Sequence, residues 1–258
     1  MLQKLEERLK ELNKVAVAYS GGIDSSFLLY IANQTLPKEN VLAIIVNGQM
    51  VSRQDYKEAI EFLKENEFNY IEIPYDALEL KEFRNNDKNR CYYCKKSIMT
   101  KIKEVAKSNG FENVLDGNNF DDTKVFRPGN KATKELQIIS LLEEIGFTKQ
   151  DIRKYSKECG IKFWNKPSNS CLATRFPYDT ILTNESLNKV EEAEKIIKNL
   201  NIPKVRVRIY NDTARIDVDR QYFEVILNNE TAIEKIKNLG FKFVTLNLFG
   251  LKSGNFDE

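Results

Sequence analysis

The chain contains no histidine. That absence removes imidazole acid–base catalysis and histidine metal ligands together. Nor is there a membrane-length apolar run; the longest, Val15–Tyr19 and Val41–Val46, are strand-sized. A surplus of one charge is missing as well. Forty Lys and Arg against 38 Asp and Glu leave +2, which gives no case for a broad nucleic-acid-binding surface. Internal repeats and low-complexity tracts are absent. The opening MLQKLEERLKELNK lacks a signal-peptide pattern, and its Leu2, Leu5, Leu9 and Leu12 fall on one helical face. A cytoplasmic protein is expected, with a small-molecule partner and neither membrane nor nucleic acid.

What is present begins with period. Lys14–Tyr19, Val41–Val46 and Tyr70–Pro74 read as strands, separated by helical patterns starting near Asp24 and Ser52, the latter with Asp55 placed to complete a capping box. Continuous apolar strands alternating with helices indicate an α/β, doubly wound, mainly parallel sheet. LELKEFRNNDKNR reads as a long loop, CYYCKKSIMTKIKEVAKSNG as a helix, and Val114–Asp116 as the next strand. TKVFRPGNKATKE reads as a charged loop leading into a helix that runs through Leu142, and Thr148 and Asp151 cap another. From about Thr183 the pattern changes to a long helix, a period-two hairpin turning at Asn211-Asp212, and a last strand in FKFVTLNLFG. The expected organisation is a main domain over 1–180 and a smaller α+β domain over 181–258.

The stretch KVAVAYSGGIDSSFLLYI places a glycine turn between strand and helix, a junction that aims backbone N–H groups at an anion. It matches neither GxxxxGK[ST] nor GxGxxG. Ser20, Gly21, Gly22, Ser25 and Ser26 are the candidate phosphate contacts. Asp24 would repel a phosphate unless it sits in the first helical turn, where the dipole favours it, or helps hold Mg²⁺. The bland alternative is a plain strand–turn–helix cap.

Cys91 and Cys94, spaced C-x-x-C beside Arg90, Lys95 and Lys96, suit a shared metal or a redox pair, or are two ordinary helical thiols. With Cys171, three thiolates suit three corners of a [4Fe–4S] cluster whose fourth iron lacks a protein ligand. A zinc site would want a fourth ligand, which no histidine can give. Cys159, on a helix beside Ile152 and Tyr155, reads as core.

SGGIDSS resembles the pyrophosphate-binding loop of the N-type ATP pyrophosphatases, the PP-loop enzymes of the adenine nucleotide alpha hydrolase-like fold. NRCYYCK (89–95), LDGNNFDD (115–122), FRPG (126–129), WNKPSNSCLATRFPY (164–178) and GFKFVTLNLFGLKSGNFDE (240–258) extend the match across nearly the whole chain, and together resemble the LarE family. The resemblance implies an ATP-dependent sulfur transferase. Its substrate would be pyridinium-3,5-dicarboxylate mononucleotide, thiolated on the way to the nickel-pincer nucleotide cofactor. ATP would adenylate a carboxylate, and sulfur would displace AMP. Some members sacrifice the sulfur of one cysteine, at the position of Cys171; others bind a [4Fe–4S] cluster through three, here Cys91, Cys94 and Cys171.

By the same resemblance, Ser20, Gly21, Gly22, Ser25 and Ser26 hold pyrophosphate and Asp24 assists Mg²⁺. Asp116 and Asp122 assist ATP or metal, and Arg127 and Arg175 neutralise phosphate or the activated carboxylate. Arg206, Arg208, Arg215 and Asp217 receive the substrate phosphate. Salt bridges or a solvated face are the ordinary alternatives for these arginines. A homo-oligomer is implied, and the sulfur donor is unspecified. The chain departs from the family at Asn247 and at Leu251-Lys252, where Asp and Tyr-Arg are usual, and is short between Tyr222 and Ile236. A tRNA thiolation enzyme and a non-catalytic ATP- or Fe–S-binding assembly protein are the rival readings.

Overall fold

The computed structural model describes residues 1–124, 128–167 and 169–252. In chain order the first part comprises α1 (Leu2–Leu12), β1 (Val15–Tyr19), α2 (Ile23–Thr35), β2 (Val41–Asn47), α3 (Arg53–Glu65) and β3 (Tyr70–Pro74). A short excursion carries α4 (Lys81–Arg84). Then follow α5 (Arg90–Ser108), β4 (Asn113–Leu115), α6 (Pro128–Glu135), α7 (Leu141–Ile145) and α8 (Lys149–Glu158). The remainder is α9 (Asn184–Lys198), β5 (Val205–Tyr210), β6 (Thr213–Val218), α10 (Phe223–Leu227), α11 (Glu230–Lys237) and β7 (Phe243–Leu246). Two compact units result: Met1–Asp76 with Cys91–Asn169, and Ala77–Arg90 with Ser170–Glu258.

The first unit holds a parallel sheet in the order β3-β2-β1-β4. Every residue of β1 is buried, because both faces of the sheet are covered. Val15, Val17 and Tyr19 join Ala43 and Ile45 in a core with α2, α3, α7 and α8. Ala16, Ala18, Leu42 and Ile44 face the other way, onto Met99, Ile102 and Ala106 of α5. This is the α/β doubly wound arrangement expected. The strand order reverses beside β1, and in open sheets that reversal leaves a crevice at the strands' carboxyl ends.

The second unit has a three-stranded mixed sheet, β5-β6-β7, with β5 and β6 antiparallel and β7 parallel to β6. Val205, Val207, Ala214, Ile216 and Val218 pack with Ala193 and Ile197 of α9 and Ile236 of α11.

Two local expectations are corrected. The stretch read as a long loop after β3 carries α4, with Phe83 buried in it. The helix expected to reach Leu142 is interrupted. Gln137 takes φ 55°, and Ile139 pairs in parallel with Leu115 instead. Ile139 donates to Val114 O at 2.9 Å and accepts from Asp116 N at 3.1 Å, so the sheet edge claims the backbone that a continuous helix would have used. Part of the charged stretch before it is helical, as α6.

Candidate functional site

The turn after β1 forms because its neighbours leave room only for glycine. Gly21 has φ +73°, and a Cβ there would lie 2.5 Å from the Ala59 Cβ of α3. Gly22 is the N-cap of α2. The hydroxyls then tie the turn to itself. Ser25 Oγ donates to Gly22 O at 3.1 Å and lies 3.1 Å from Ser20 Oγ; Ser26 Oγ donates to Gly22 O at 2.9 Å. Ser25 and Ser26 are buried, so their hydroxyls shape the turn, while Ser20 is exposed. The opening N–H groups of α2 have no partner within the helix and point out of its first turn. From the other side Gly117, just after β4, closes on the turn: a Cβ there would meet Ser25 N at 2.8 Å.

Asp24 stands in that first turn. Burial pushes its carboxyl up, and the neighbouring Asp122 charge adds to this; Lys149 and Arg153 act against it. Oδ2 is ion-paired with Lys149 Nζ, whereas Oδ1 is buried without a hydrogen-bond partner among the described residues. Lys149 is positioned by the capping box of α8, in which Thr148 and Asp151 exchange bonds, and its backbone N–H donates to Asp121 Oδ2 at 2.9 Å. Asp116, 2% exposed, is held by Ser140 Oγ at 2.7 Å and Asn118 N at 3.2 Å, with Lys95 Nζ 3.5 Å away. Arg127 lies outside the described residues.

Beside Ser20, at the carboxyl ends of β1 and β2, lies an apolar cleft of 130 Å³. Ile45, Val46, Met50, Val51, Tyr56, Ile98 and Met99 are among its walls. Sequence reasoning missed this cleft and Lys149, and named Lys95 only as a neighbour of the cysteines. Lys149 left a trace in the sequence, since the Thr148/Asp151 box fixes it at a helix start.

Cys91 and Cys94 occupy the first turn of α5, three apart and so on one face. Cys91 is exposed, Cys94 and Cys171 are partly so, and none of the four cysteines is in a disulfide. Cys159 caps α8 and packs against the core, where burial raises its thiol pKa. Among the described residues no three His, Cys, Asp or Glu side chains converge as a metal site.

In the second unit Cys171 begins a 3₁₀ turn over Leu172–Arg175. Arg175, 2% exposed, holds that turn from inside. Nη1 donates to Ser170 O at 2.9 Å, Cys171 O at 3.0 Å and Thr174 Oγ1 at 3.0 Å, while Nε and Nη2 grip Glu194 at 2.7 and 3.0 Å. Glu194 also accepts from Val207 N at 3.1 Å, fixing the assembly to β5. Arg208 and Arg215, opposite one another across the hairpin, share fully buried Asp217. Arg208 also donates to Thr174 O and Lys252 O, both at 3.1 Å. Arg206, 7% exposed, donates to Val205 O at 2.9 Å.

Residues 2–109 match the NAD synthase family model. Over 97% of its length the chain is 36% identical to the pyridinium-3,5-bisthiocarboxylic acid mononucleotide synthase of Lactiplantibacillus plantarum, covering 91% of that protein. The chain belongs to the LarE family. Uncharacterised proteins of Synechocystis (31% identical, 100% of this chain and 97% of theirs) and Methanocaldococcus jannaschii (35%, 96% and 95%) are similar over comparable spans. LarE-type homology supports an adenylating, sulfur-transferring enzyme of this general kind. No helix among the described residues is long and apolar enough to cross a membrane.

Proposed function

We propose that this protein is an ATP-dependent sulfurtransferase that converts carboxylates of pyridinium-3,5-dicarboxylate mononucleotide into thiocarboxylates, releasing AMP and pyrophosphate. The observation that carries this reading is the Ser20–Ser26 turn, closed on both sides by Gly21 and Gly117, with the half-buried Asp24 carboxylate in the first turn of α2. Such a junction suits the β,γ-phosphates of ATP. The cleft beside Ser20 is lined mostly by apolar side chains, which suits adenine. Asp24 Oδ1, buried and without a hydrogen-bond partner among the described residues, suits Mg²⁺, and Lys149 would exchange its Asp24 partner for a phosphate oxygen.

Chemistry follows from leaving groups. A carboxylate resists sulfur attack because oxide leaves poorly. Its oxygen attacks the α-phosphorus, the bond to the β-phosphate's bridging oxygen breaks, and pyrophosphate leaves. A sulfur nucleophile then adds to the acyl carbon and AMP departs with the original carboxylate oxygen. The turn residues orient the departing pyrophosphate, and Arg175 holds the backbone around Cys171.

The donor set fits a [4Fe–4S] cluster chemically: three cysteines outside any disulfide, two of them on one helix face, and no histidine. Cys91, Cys94 and Cys171 would hold it, and when bound it supplies a transferable sulfide at the iron without a protein ligand. Arg206, Arg208, Arg215 and Asp217 are assigned to the substrate phosphate; opposed arginines on neighbouring strands support this. A homo-oligomer belongs to the same reading, supported by exposed Phe243, Leu248 and Phe249.

The test has two parts. Anaerobically purified protein should hold about four irons and at least as many acid-labile sulfides per chain, lost on Cys91→Ala. With ATP, Mg²⁺ and the dicarboxylated nucleotide it should form thiocarboxylate, and tRNA should not replace the nucleotide. Absence of iron after reconstitution, with Cys171 converted to dehydroalanine during turnover, would transfer the sulfur source to that cysteine.

A further inference from the structure

The helix that buttresses the glycine turn also fastens the chain leading to Cys171. On its inner side α3 presents Ala59, against which Gly21 packs, and the Ala59 carbonyl accepts from Tyr19 Oη at 3.4 Å. Phe62 stacks on Tyr19 with ring centres 6.3 Å apart. Asp55, Glu58 and Phe62, spaced i, i+3 and i+7 along one face of α3, hold Phe163, Lys166 and Asn169, the anchored residues of a strap that leads to Cys171. Phe163 meets Phe62 edge-on at 5.1 Å. Lys166 Nζ bridges Asp55 Oδ1 at 2.8 Å and Glu58 Oε2 at 2.6 Å. Asn169 Nδ2 donates to both Asp55 oxygens, at 2.7 and 3.0 Å.

Asp55 is the centre of this set. Ser52 Oγ adds a fourth contact at 2.7 Å, and the carboxylate side chain is only 15% exposed. Burial alone would raise its pKa, but donors from Lys166, Ser52 and Asn169 outweigh that and hold it below the usual carboxylate range. A surface ion pair with one solvated partner is worth little. Here a largely buried carboxylate is saturated by Ser52 and by two residues more than a hundred positions away, which fastens Lys166 and Asn169 to α3. Cys171 follows Asn169 by two residues, so a two-residue chain of at most about 7 Å separates their backbones.

We propose that Asp55 is a positioning residue for sulfur transfer: it ties the strap that leads to Cys171 to the helix supporting the nucleotide turn, so that nucleotide occupancy and cysteine placement are coupled. This deepens the sulfurtransferase reading and rests on it. A change in the turn that shifts Ala59 and Phe62 moves the same face of α3 that carries Asp55. Without Asp55, adenylation retains its parts while the cysteine loses its tether.

The test compares wild type with Asp55→Ala, and with Lys166→Met and Asn169→Ala, which remove the tether from its other end should Asp55→Ala fold poorly. Alkylation of Cys171 in cluster-free protein is followed by peptide mass spectrometry with and without α,β-methylene-ATP. In wild type the nucleotide should change the Cys171 rate by roughly 5-fold or more. In the variants that change should vanish, with nucleotide Kd within about 2-fold of wild type. In turnover, substrate-dependent ATP–pyrophosphate exchange should stay within about 3-fold while thiocarboxylate formation falls roughly 10-fold or more. Lys166→Arg should restore transfer. An unchanged nucleotide effect in the variants, no effect in wild type, or a parallel loss of exchange and transfer would overturn the coupling. Wild type that binds nucleotide yet makes no thiocarboxylate would instead refute the sulfurtransferase reading, while the alkylation comparison still decides the role of Asp55.

Discussion

Replacing Gly21 by Ala should damage the nucleotide turn by two separable routes. The backbone at φ +73° is one that an L side chain occupies at a cost of about 1–2 kcal/mol. The added methyl also arrives 2.5 Å from the Ala59 Cβ, far inside van der Waals contact, and overpacking of that kind costs about 1–3 kcal/mol. Together these give about 2–5 kcal/mol, a large part of the stability of an ordinary domain. At about 2–4 °C per kcal/mol for chains of this size, Tm should fall by roughly 4–20 °C. If the turn instead shifts to escape the clash, the loss appears as ATP affinity, measurable by calorimetry. Ala59→Gly removes only the second route, so a double-mutant cycle with Gly21→Ala should show a favourable coupling of about 1–3 kcal/mol in stability plus binding. The helix pays about 1 kcal/mol for the new glycine, which the cycle subtracts. Gly21→Ala with unchanged Tm and ATP affinity, or a cycle with no coupling, would refute the claim that α3 shapes the turn.

Further outcomes follow from the buried charges. Asp24 has its pKa raised by burial, so its unfolded form ionises at lower pH and its charge opposes folding once pH rises through the folded value. Asp24→Asn should therefore leave Tm at neutral pH unchanged or higher while abolishing Mg²⁺-dependent ATP–pyrophosphate exchange. Arg175→Met leaves Glu194 buried without its partner and should cost about 3–5 kcal/mol in chemical denaturation, with faster alkylation of Cys171. Arg208→Ala should raise the KM for the nucleotide substrate and spare ATP binding; because Arg208 also neutralises buried Asp217, adding Asp217→Asn should recover stability but not KM. The Asp55 carboxylate, held low, should keep its contribution as pH falls and lose it only below about pH 4, seen as proteolytic opening of the strap in acid.

The layout of the first unit was legible because β1, β2 and the helices between them carry strong period and a capped start. Ser52 and Asp55 at α3, and Thr148 and Asp151 at α8, announced their helices directly. The α6 helix escaped because PGNKATKE has almost no apolar face to read, although Pro128 in its first turn is a helix-start signal. Ile139 misled because an apolar residue after a helical stretch reads as more helix, and only the partner strand shows that it pairs with Leu115. At the site, the turn residues were visible as a motif. The partners that give them chemistry were not: Lys149 for Asp24, Glu194 for Arg175 and Asn169 for Asp55 are joined by side chains distant in sequence, and no spacing rule links them.

The central claim is that a carboxylate is activated by AMP before it receives sulfur. The dicarboxylated pyridinium mononucleotide, labelled with heavy oxygen in its carboxylates, tests it in one turnover. The account predicts label in the phosphoryl group of AMP, none in pyrophosphate, and one AMP for each sulfur installed. AMP free of label, or ADP and phosphate in place of AMP and pyrophosphate, would contradict it.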